Sequence, residues 1–167
     1  MNDGRTYALS GENLTITTTL PLLTIATSAT EMNAGGRFKL RRVEISQNGT
    51  ATAAMVRFEI CKRDQAATLT ITGGTPAPLD VGGPISAFVS NTAGHTPLNC
   101  GFAATVDSNG TYTHIMYMNF CNLNGYLWIP TPGEEIIIHN TSVLCIKPVA
   151  APGAAAGWTC TVVWDEF

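Results

Sequence analysis

The chain has 167 residues, the length of one domain, and it can bury a core without a metal ion or a disulfide. Only 13% of its residues are charged, about half of the usual fraction. Its 23 threonines, 16 glycines and 9 prolines favour strands and turns over helices. The hydrophobic fraction of 45% excludes a chain that is disordered throughout. The net charge of −3 argues against a protein that coats nucleic acid.

The sequence carries no sign of a membrane segment or of a secretory signal. No run of about 18 apolar residues occurs, so no membrane-spanning helix is predicted. The first residues, MNDGRTYALSGEN, lack the basic and apolar regions of a secretory leader. We therefore expect assembly in the cytosol, where cysteines stay reduced. The five cysteines are widely spread without a C-x-x-C pair, so we expect buried thiols and no zinc ribbon.

The N-terminal region divides into two parts. Residues 1–12 are polar and irregular, which predicts an N-terminal arm before a body that spans residues 13–167. The body opens with the run LTITTT, whose alternation of apolar and polar residues predicts a strand. Pro21 then interrupts the pattern, which indicates an edge strand, a bulge or a strand that changes sheets.

The clearest local signal lies at Asn48-Gly49, between the strand-like runs RFKLRRVEIS and TATAAMVRFEICKR. Asn-Gly tolerates the positive φ angles of a type I′ turn and is the strongest short-range hairpin signal. We therefore predict a two-residue hairpin that places Ile45 opposite Thr52.

The first strand of this hairpin carries a break in its pattern. Phe38 and Leu40 are one residue out of phase with Val43 and Ile45. A β-bulge near Arg41–Arg42 would turn all four side chains toward one core.

The rest of the chain repeats short strand patterns separated by turns. We predict strands at 68–72, 85–90, 112–119, 125–130, 134–140, 141–149 and 159–167, with loops and an Ala/Gly/Pro linker between them. The segment 112–119 is apolar on both faces, which predicts a strand covered on both sides. About eight to ten strands without a helix indicate an all-β, single-domain β-sandwich, with the jelly roll as the expected topology.

The residues that could carry catalysis are not grouped in the sequence. Glu134 and Glu135 are neighbours on a predicted strand, so they point to opposite faces and cannot share a substrate. His95, His114 and His139 come from three segments without a partner at metal-ligand spacing. No G-x-S-x-G motif occurs. We therefore expect no enzyme, no metal site and no cofactor.

Positive charge is distributed unevenly along the chain. Seven of the nine lysines and arginines lie between positions 37 and 63. One interpretation is a solvated outer face of the hairpin, balanced by Glu44 and Glu59 across the strands. The other is a patch that docks on an acidic protein surface. The candidate contact residues of that patch are Arg37, Lys39, Arg41 and Arg42.

Three regions together carry a resemblance: ENLTITTTLPLLTI, the run RFKLRRVEISQNGTATAAMVRFEI, and GYLWIPTPGEEIIIHN with the terminal TVVWDEF. Their layout resembles the capsid decoration (cement) proteins and related small head or tail proteins of tailed bacteriophages. The resemblance implies a non-enzymatic virion component, assembled in the host cytoplasm. It implies that the chain binds the major capsid protein as a homotrimer, without a nucleic-acid or membrane partner. It carries over no catalytic residue.

Two other functions are compatible with a β-sandwich. A carbohydrate-binding module of a phage tail or host-adhesion protein would use Trp128 and Tyr126 as a stacking platform. A jelly-roll enzyme of the cupin kind would need clustered histidine and glutamate ligands.

Overall fold

A computed structural model of the chain shows an all-β fold built from two antiparallel sheets. The structure describes residues 5–26, 37–49, 52–63, 69–80, 100–107, 110–139 and 142–167. The predicted strand at 85–90 and His95 lie outside these residues. None of the described segments forms a helix of the length and apolarity that a bilayer crossing requires.

Twelve strands are present in the described residues. They are β1 (Arg5–Leu14), β2 (Leu23–Ala26), β3 (Arg37–Gln47), β4 (Met55–Arg63), β5 (Leu69–Gly73), β6 (Ala77–Pro78), β7 (Gly101–Asp107), β8 (Tyr112–Cys121), β9 (Tyr126–Trp128), β10 (Ile137–His139), β11 (Val143–Pro148) and β12 (Trp158–Glu166).

The strands divide into two sheets of six. Sheet A has the order β10-β3-β12-β1-β6, and β9 pairs with β3 beside β10. Sheet B has the order β5-β7-β2-β11-β4-β8. The predicted β-sandwich is confirmed, while the jelly-roll topology stays a prediction.

One apolar core lies between the sheets, with its largest side chains on β12. Trp158, Cys160, Val162 and Trp164 alternate toward the core and are buried. Trp158 packs against Phe58 of the opposite sheet, with 5.1 Å between ring centroids. The alternation in TCTVVWDEF is the pattern of a strand with one face toward the core.

The predicted N-terminal arm is wrong for residues 5–12. They form most of β1, which pairs with β12 from Arg5 opposite Glu166 to Gly11 opposite Cys160. Their polarity reflects an outer sheet face, because Tyr7 and Leu9 alternate inward and are buried. The run LTITTT is mostly not strand, since β1 ends at Leu14.

The predicted Asn48-Gly49 hairpin is also wrong. β3 belongs to sheet A and β4 to sheet B, so the two strands face each other across the core instead of pairing at their edges. Both edges of β3 are already occupied, one by β12 and the other by β9 and β10. Gly49 does adopt the left-handed conformation, with φ of 83°. The turn residues therefore redirect the chain between sheets.

The bulge predicted near Arg41–Arg42 is confirmed. On β12, Val163 pairs with Arg42 and the next residue, Trp164, pairs with Leu40. Arg41 is the extra residue, and the shift turns Phe38 and Leu40 into the core beside Val43 and Ile45. The proline signal is confirmed as well, because the chain leaves sheet A after Leu14 and enters sheet B at Leu23, on either side of Pro21.

The prediction that the strand at 112–119 is covered on both sides is wrong. This segment forms β8, which lies at the edge of sheet B and pairs only with β4 among the described strands. Met118 and Phe120 face the core, whereas Ile115 and Tyr117 are exposed. The strand buried on both faces is β11, where the run VLCI is entirely buried. A continuous apolar run is the sequence pattern of such a strand.

A polar network holds the place where the chain passes from β3 to β4. Asn122 donates to Gln47 Oε1 at 2.9 Å and accepts from the Ala54 N–H at 2.8 Å. Gln47 in turn donates to the carbonyl oxygens of Ala154 and Ala156. The Ala/Gly/Pro segment before β12 is therefore anchored to the end of β3.

Gly157 closes this junction. Its φ is 79°, its carbonyl accepts from the Asn48 N–H at 2.8 Å, and a Cβ atom there would overlap the Asn48 carbonyl oxygen. A side chain at this position is therefore both strained and sterically excluded.

We expect Gly157→Ala to lower the free energy of unfolding by about 2 kcal/mol or more, because left-handed strain and overlap add. Gly153→Ala is the matched control, since a Cβ there meets nothing within 4 Å. Urea denaturation measures both changes. Equal losses in the two variants would contradict the proposed role of Gly157.

Candidate interaction surfaces

The four candidate contact residues lie on the outer face of sheet A, along β3. Arg37, Arg41 and Arg42 are exposed, and Lys39 is half-buried. Arg41 is the extra residue of the bulge, and both Arg41 and Arg42 are exposed. The structure therefore brings these residues together as one row.

Acidic residues from other segments offset part of this row. The Arg41 guanidinium contacts Asp165 Oδ2 at 2.5 Å and Glu135 Oε1 at 3.6 Å. Lys39 Nζ lies 3.7 Å from the same Glu135 oxygen. The partners expected from the sequence, Glu44 and Glu59, are not the ones that these ion pairs use.

Glu135 is placed by its own backbone as well as by the basic row. The N–H groups of Glu135 and Gly133 hydrogen-bond its carboxylate, and with Lys39 and Arg41 they lower its pKa. Glu134 lines a different surface, a groove beside Trp128. The two adjacent carboxylates are thus separated, although both precede β10 and do not lie on the predicted strand.

Arg37 and Arg42 keep their charge toward solvent. The Arg37 guanidinium lies over the ring of Phe167, 4.9 Å from its centroid, and the two residues also share backbone hydrogen bonds. Among the described residues, no ion pair engages Arg42. These two arginines are the part of the basic row that can contact another molecule.

The remaining basic residues between positions 37 and 63 lie on sheet B and do not extend this row. Arg63 is fully buried against Asp107, whose Oδ1 lies 2.5 Å from its Nη2. Arg57 donates to Asn119 and stacks over Tyr117. Lys62 is exposed.

The Arg63–Asp107 pair is a structural element. Tyr112 Oη and the Gly110 N–H also donate to the Asp107 carboxylate. Burial alone would raise the pKa of Asp107, but the hydrogen bonds from Arg63, Tyr112 and Gly110 outweigh it, so the pKa is lowered. Asp107 therefore stabilises the fold when ionised. That contribution is complete above the unfolded pKa of about 3.9 and is lost as pH falls through the lower folded value.

We expect Asp107→Asn to lower the free energy of unfolding at pH 7 by about 3 kcal/mol, because it leaves the buried Arg63 charge without its counterion. The difference from the unchanged protein should shrink as pH falls below about 3.9, because Asp107 of the unfolded chain then binds a proton, and it should disappear below the lower pKa of the folded state. Asp165→Asn, in a more exposed ion pair, should lose about 1 kcal/mol or less. Urea titrations at pH 7 and pH 3 measure this. A pH-independent difference would contradict the assignment.

The described histidines do not form a metal centre. His114 Nδ1 lies 3.3 Å from Glu59 Oε2, and its ring stacks on Tyr117 with 3.7 Å between centroids. Lys147 Nζ contacts the other Glu59 oxygen at 2.8 Å. His139 is exposed on β10, in the other sheet. In the described part of the chain, no three His, Cys, Asp or Glu residues are grouped to hold a metal ion.

Tyr126 and Trp128 do not form an exposed stacking platform. Both are half-buried on β9 and pack against the core, and Tyr126 lies 5.6 Å from the ring of Phe120. The residue between them, Leu127, points outward instead. The two rings are therefore only partly accessible for stacking on a sugar.

Sequence reasoning missed an apolar surface at one side of the sandwich, which we call the edge strip: Ile115, Leu127, Ile129 and Ile137. These side chains are between 38% and 64% exposed. They lie on or beside β8, β9 and β10, which are edge strands of the two sheets. Ile115 and Ile129 also border a groove of about 280 Å³ with Trp128 as part of its lining.

The edge strip is comparable in exposed area to the largest apolar patch of a monomer. Its four half-exposed aliphatic side chains present on the order of 400 Å², within the range of roughly 300–600 Å² for that patch in a typical monomer. The largest patch of a monomer is often functional. The hydrophobic periodicity of the sequence could not reveal the edge strip, because each of these residues fits the pattern of an ordinary apolar strand.

A second groove lies on the opposite edge, between the segment after β1 and the strands β5 and β7. It has a volume of about 450 Å³ and is lined largely by threonines, among them Thr15, Thr72 and Thr105. Two of its lining residues, Asn13 and Ala103, have positive φ. None of its lining residues is charged.

No protein-family model matches this chain, and neither a curated protein nor a solved structure shows significant similarity to it.

Proposed function

We propose that this chain is a non-enzymatic structural protein of a phage virion, a capsid decoration (cement) protein that acts as a homotrimer. The observation that carries the proposal is the edge strip beside an open, partly ion-paired sheet face. One surface suits contact between copies of the chain, and the other suits contact with the capsid.

The edge strip supports self-association. Exposed aliphatic side chains on unpaired strand edges gain free energy when a partner covers them. A standard interface buries about 800 Å² on each partner, so the strip would form roughly its central half. Glu134 lines the adjoining groove, and Glu44 and Lys39 lie opposite Leu127 and Ile137 on β3. The proposed homotrimer buries this strip at each subunit contact.

The basic row supports a capsid contact. Arg37 and Arg42 are exposed on the outer face of sheet A, whereas Lys39 and Arg41 are held by Glu135 and Asp165. Exposed arginines on a sheet face suit recognition of carboxylates on another protein, because guanidinium binds carboxylate with two donors. The proposed partner is the major capsid protein, and the proposed location is the virion after assembly in the host cytoplasm.

We expect light scattering to give a mass near three times 17.7 kDa. Leu127→Asp should shift the mass to that of a monomer, because a carboxylate cannot be buried at the subunit contact without a partner. Leu79→Asp is the matched control, since Leu79 is 57% exposed and Leu127 56%. A monomeric unchanged protein, or equal effects of the two variants, would contradict the trimer.

Capsid binding is tested separately, by co-sedimentation with capsids of the encoding phage that lack this protein. We expect the trimer to sediment with them, and Arg42→Glu to weaken binding by roughly tenfold or more, because it places like charges together at the contact. Lys62→Glu, an equal charge change on sheet B, should bind like the unchanged protein. Failure to co-sediment would refute the decoration function.

A further inference from the structure

Two cysteines stand directly opposite each other at the centre of sheet B. Cys145 of β11 pairs in register with Cys61 of β4. Both are fully buried and pack with Val143 and Tyr112, in a small cluster separate from the main core. The Cys61 thiol lies 3.6 Å from the carbonyl oxygen of Cys145. The two thiols therefore share one face of the sheet.

The backbone spacing suits a bond between them. The Val149 N–H donates to the Arg57 carbonyl oxygen at 2.9 Å. Hydrogen-bonded pairs recur at every second position of an antiparallel ladder, so Cys61 and Cys145 also form such a pair, with Cα atoms about 5.5 Å apart. Disulfides span Cα separations of about 4.4–6.8 Å and need Cβ atoms about 3.5–4.5 Å apart. The Cα spacing of this pair fits, whereas its Cβ atoms, about 5.5 Å apart in a hydrogen-bonded pair, must approach each other as the bond forms.

Cys160 and Cys121 face other residue types across their strands. Cys160 lies opposite Ile45 and Gly11, and Cys121 lies opposite Met55. Cys100 immediately precedes β7 and is buried in the main core. All five cysteines are free thiols in this structure. The strand register places Cys61 directly opposite Cys145.

We propose that Cys61 and Cys145 are a site of reversible disulfide formation, oxidised by a small disulfide such as oxidised glutathione. One cysteine loses its proton and attacks the glutathione disulfide, which gives a mixed disulfide and one glutathione thiol. The second thiolate attacks the mixed disulfide, forms the Cys61–Cys145 bond and releases the other glutathione thiol. Two electrons pass from the protein to the oxidant, which balances the step.

Burial controls when this reaction occurs. Burial and the neighbouring Cys61 thiol raise the pKa of Cys145, so thiolate is scarce in the closed protein. Because the attacking species is the thiolate, oxidation requires transient opening of β4 and β11. The native protein therefore reacts slowly, and the bond resists reduction once it has formed.

The crosslink has a defined consequence for stability. It ties two central strands of sheet B that are 84 positions apart in sequence. Closing a long loop restricts the unfolded chain. The biological role of the bond rests on the proposed virion function. The bond would form after the virus particles leave the reducing cytosol, and it would stabilise the particles outside the cell. The crosslink itself does not depend on that function.

The test uses the full chain incubated with oxidised glutathione at 37 °C, followed by non-reducing peptide mapping. We expect one intramolecular bridge, between Cys61 and Cys145, whose formation accelerates in mild urea because opening exposes the thiols. The oxidised protein should melt on the order of 10 °C higher. Peptide mapping needs no capsid, so it separates this proposal from the decoration function.

The variants sharpen the assignment. Cys145→Ser should abolish the bridge, and Cys145→Ala serves in its place if the serine variant fails to fold. Cys160→Ser, at a buried cysteine without a facing thiol, should leave the bridge unchanged. Free Cys61 and Cys145 in the oxidised unchanged protein, or a bridge that joins another cysteine instead, would overturn the proposal.

Discussion

The structure depends on the pairing of the last strand between the first and third strands. β12 pairs with β1 along one edge and with β3 along the other. On its inner face it carries Trp158 and Trp164, the two largest fully buried side chains of the chain. Residues from the two ends of the sequence thus meet at the centre of sheet A. Sheet A therefore forms by pairing strands that lie far apart in the sequence. Such long-range pairing slows folding.

The position of β12 determines the rest of the fold. Because it occupies one edge of β3, and the short strands β9 and β10 occupy the other, β4 must find partners elsewhere. It pairs with β11 and β8, and its inner residue Phe58 then meets Trp158 across the core. The Gln47–Asn122 hydrogen bonds satisfy the polar groups at the crossing. β3 and β4 therefore lie in opposite sheets of the sandwich and do not form a hairpin.

A charge-poor sequence uses its few charges for specific contacts. Arg63 and Asp107 form a buried pair, and Arg41 joins Asp165 and Glu135 on the outside of sheet A. The edge that carries Ile115, Leu127, Ile129 and Ile137 has Glu44, Lys39 and Glu134 as charged neighbours. Natural edge strands are commonly shielded by charge or proline, but these four aliphatic side chains remain exposed, which is consistent with a surface that another subunit covers. The Cys61–Cys145 pair lies elsewhere, on two interior strands of sheet B.

The sequence alone determined the class of fold and most of its strands. Alternating residues identified the inner face of β3, the phase break at Arg41–Arg42 identified the bulge, and Pro21 indicated an edge strand, a bulge or a change of sheet, of which the structure shows the last. These features are local, since side-chain direction and proline geometry depend on near neighbours. The continuous apolar run of β11 was likewise readable, although its central position was not.

Tertiary structure decided which strands pair and which surfaces remain exposed. Asn48-Gly49 permits a turn but does not choose between a hairpin and a crossing, because that choice depends on whether β12 occupies β3. The polar residues 5–12 looked irregular until their partner strand was known. The edge strip and the facing thiols of Cys61 and Cys145 join residues far apart in sequence. Strand register sets these juxtapositions, and the free energy of the whole core sets the register.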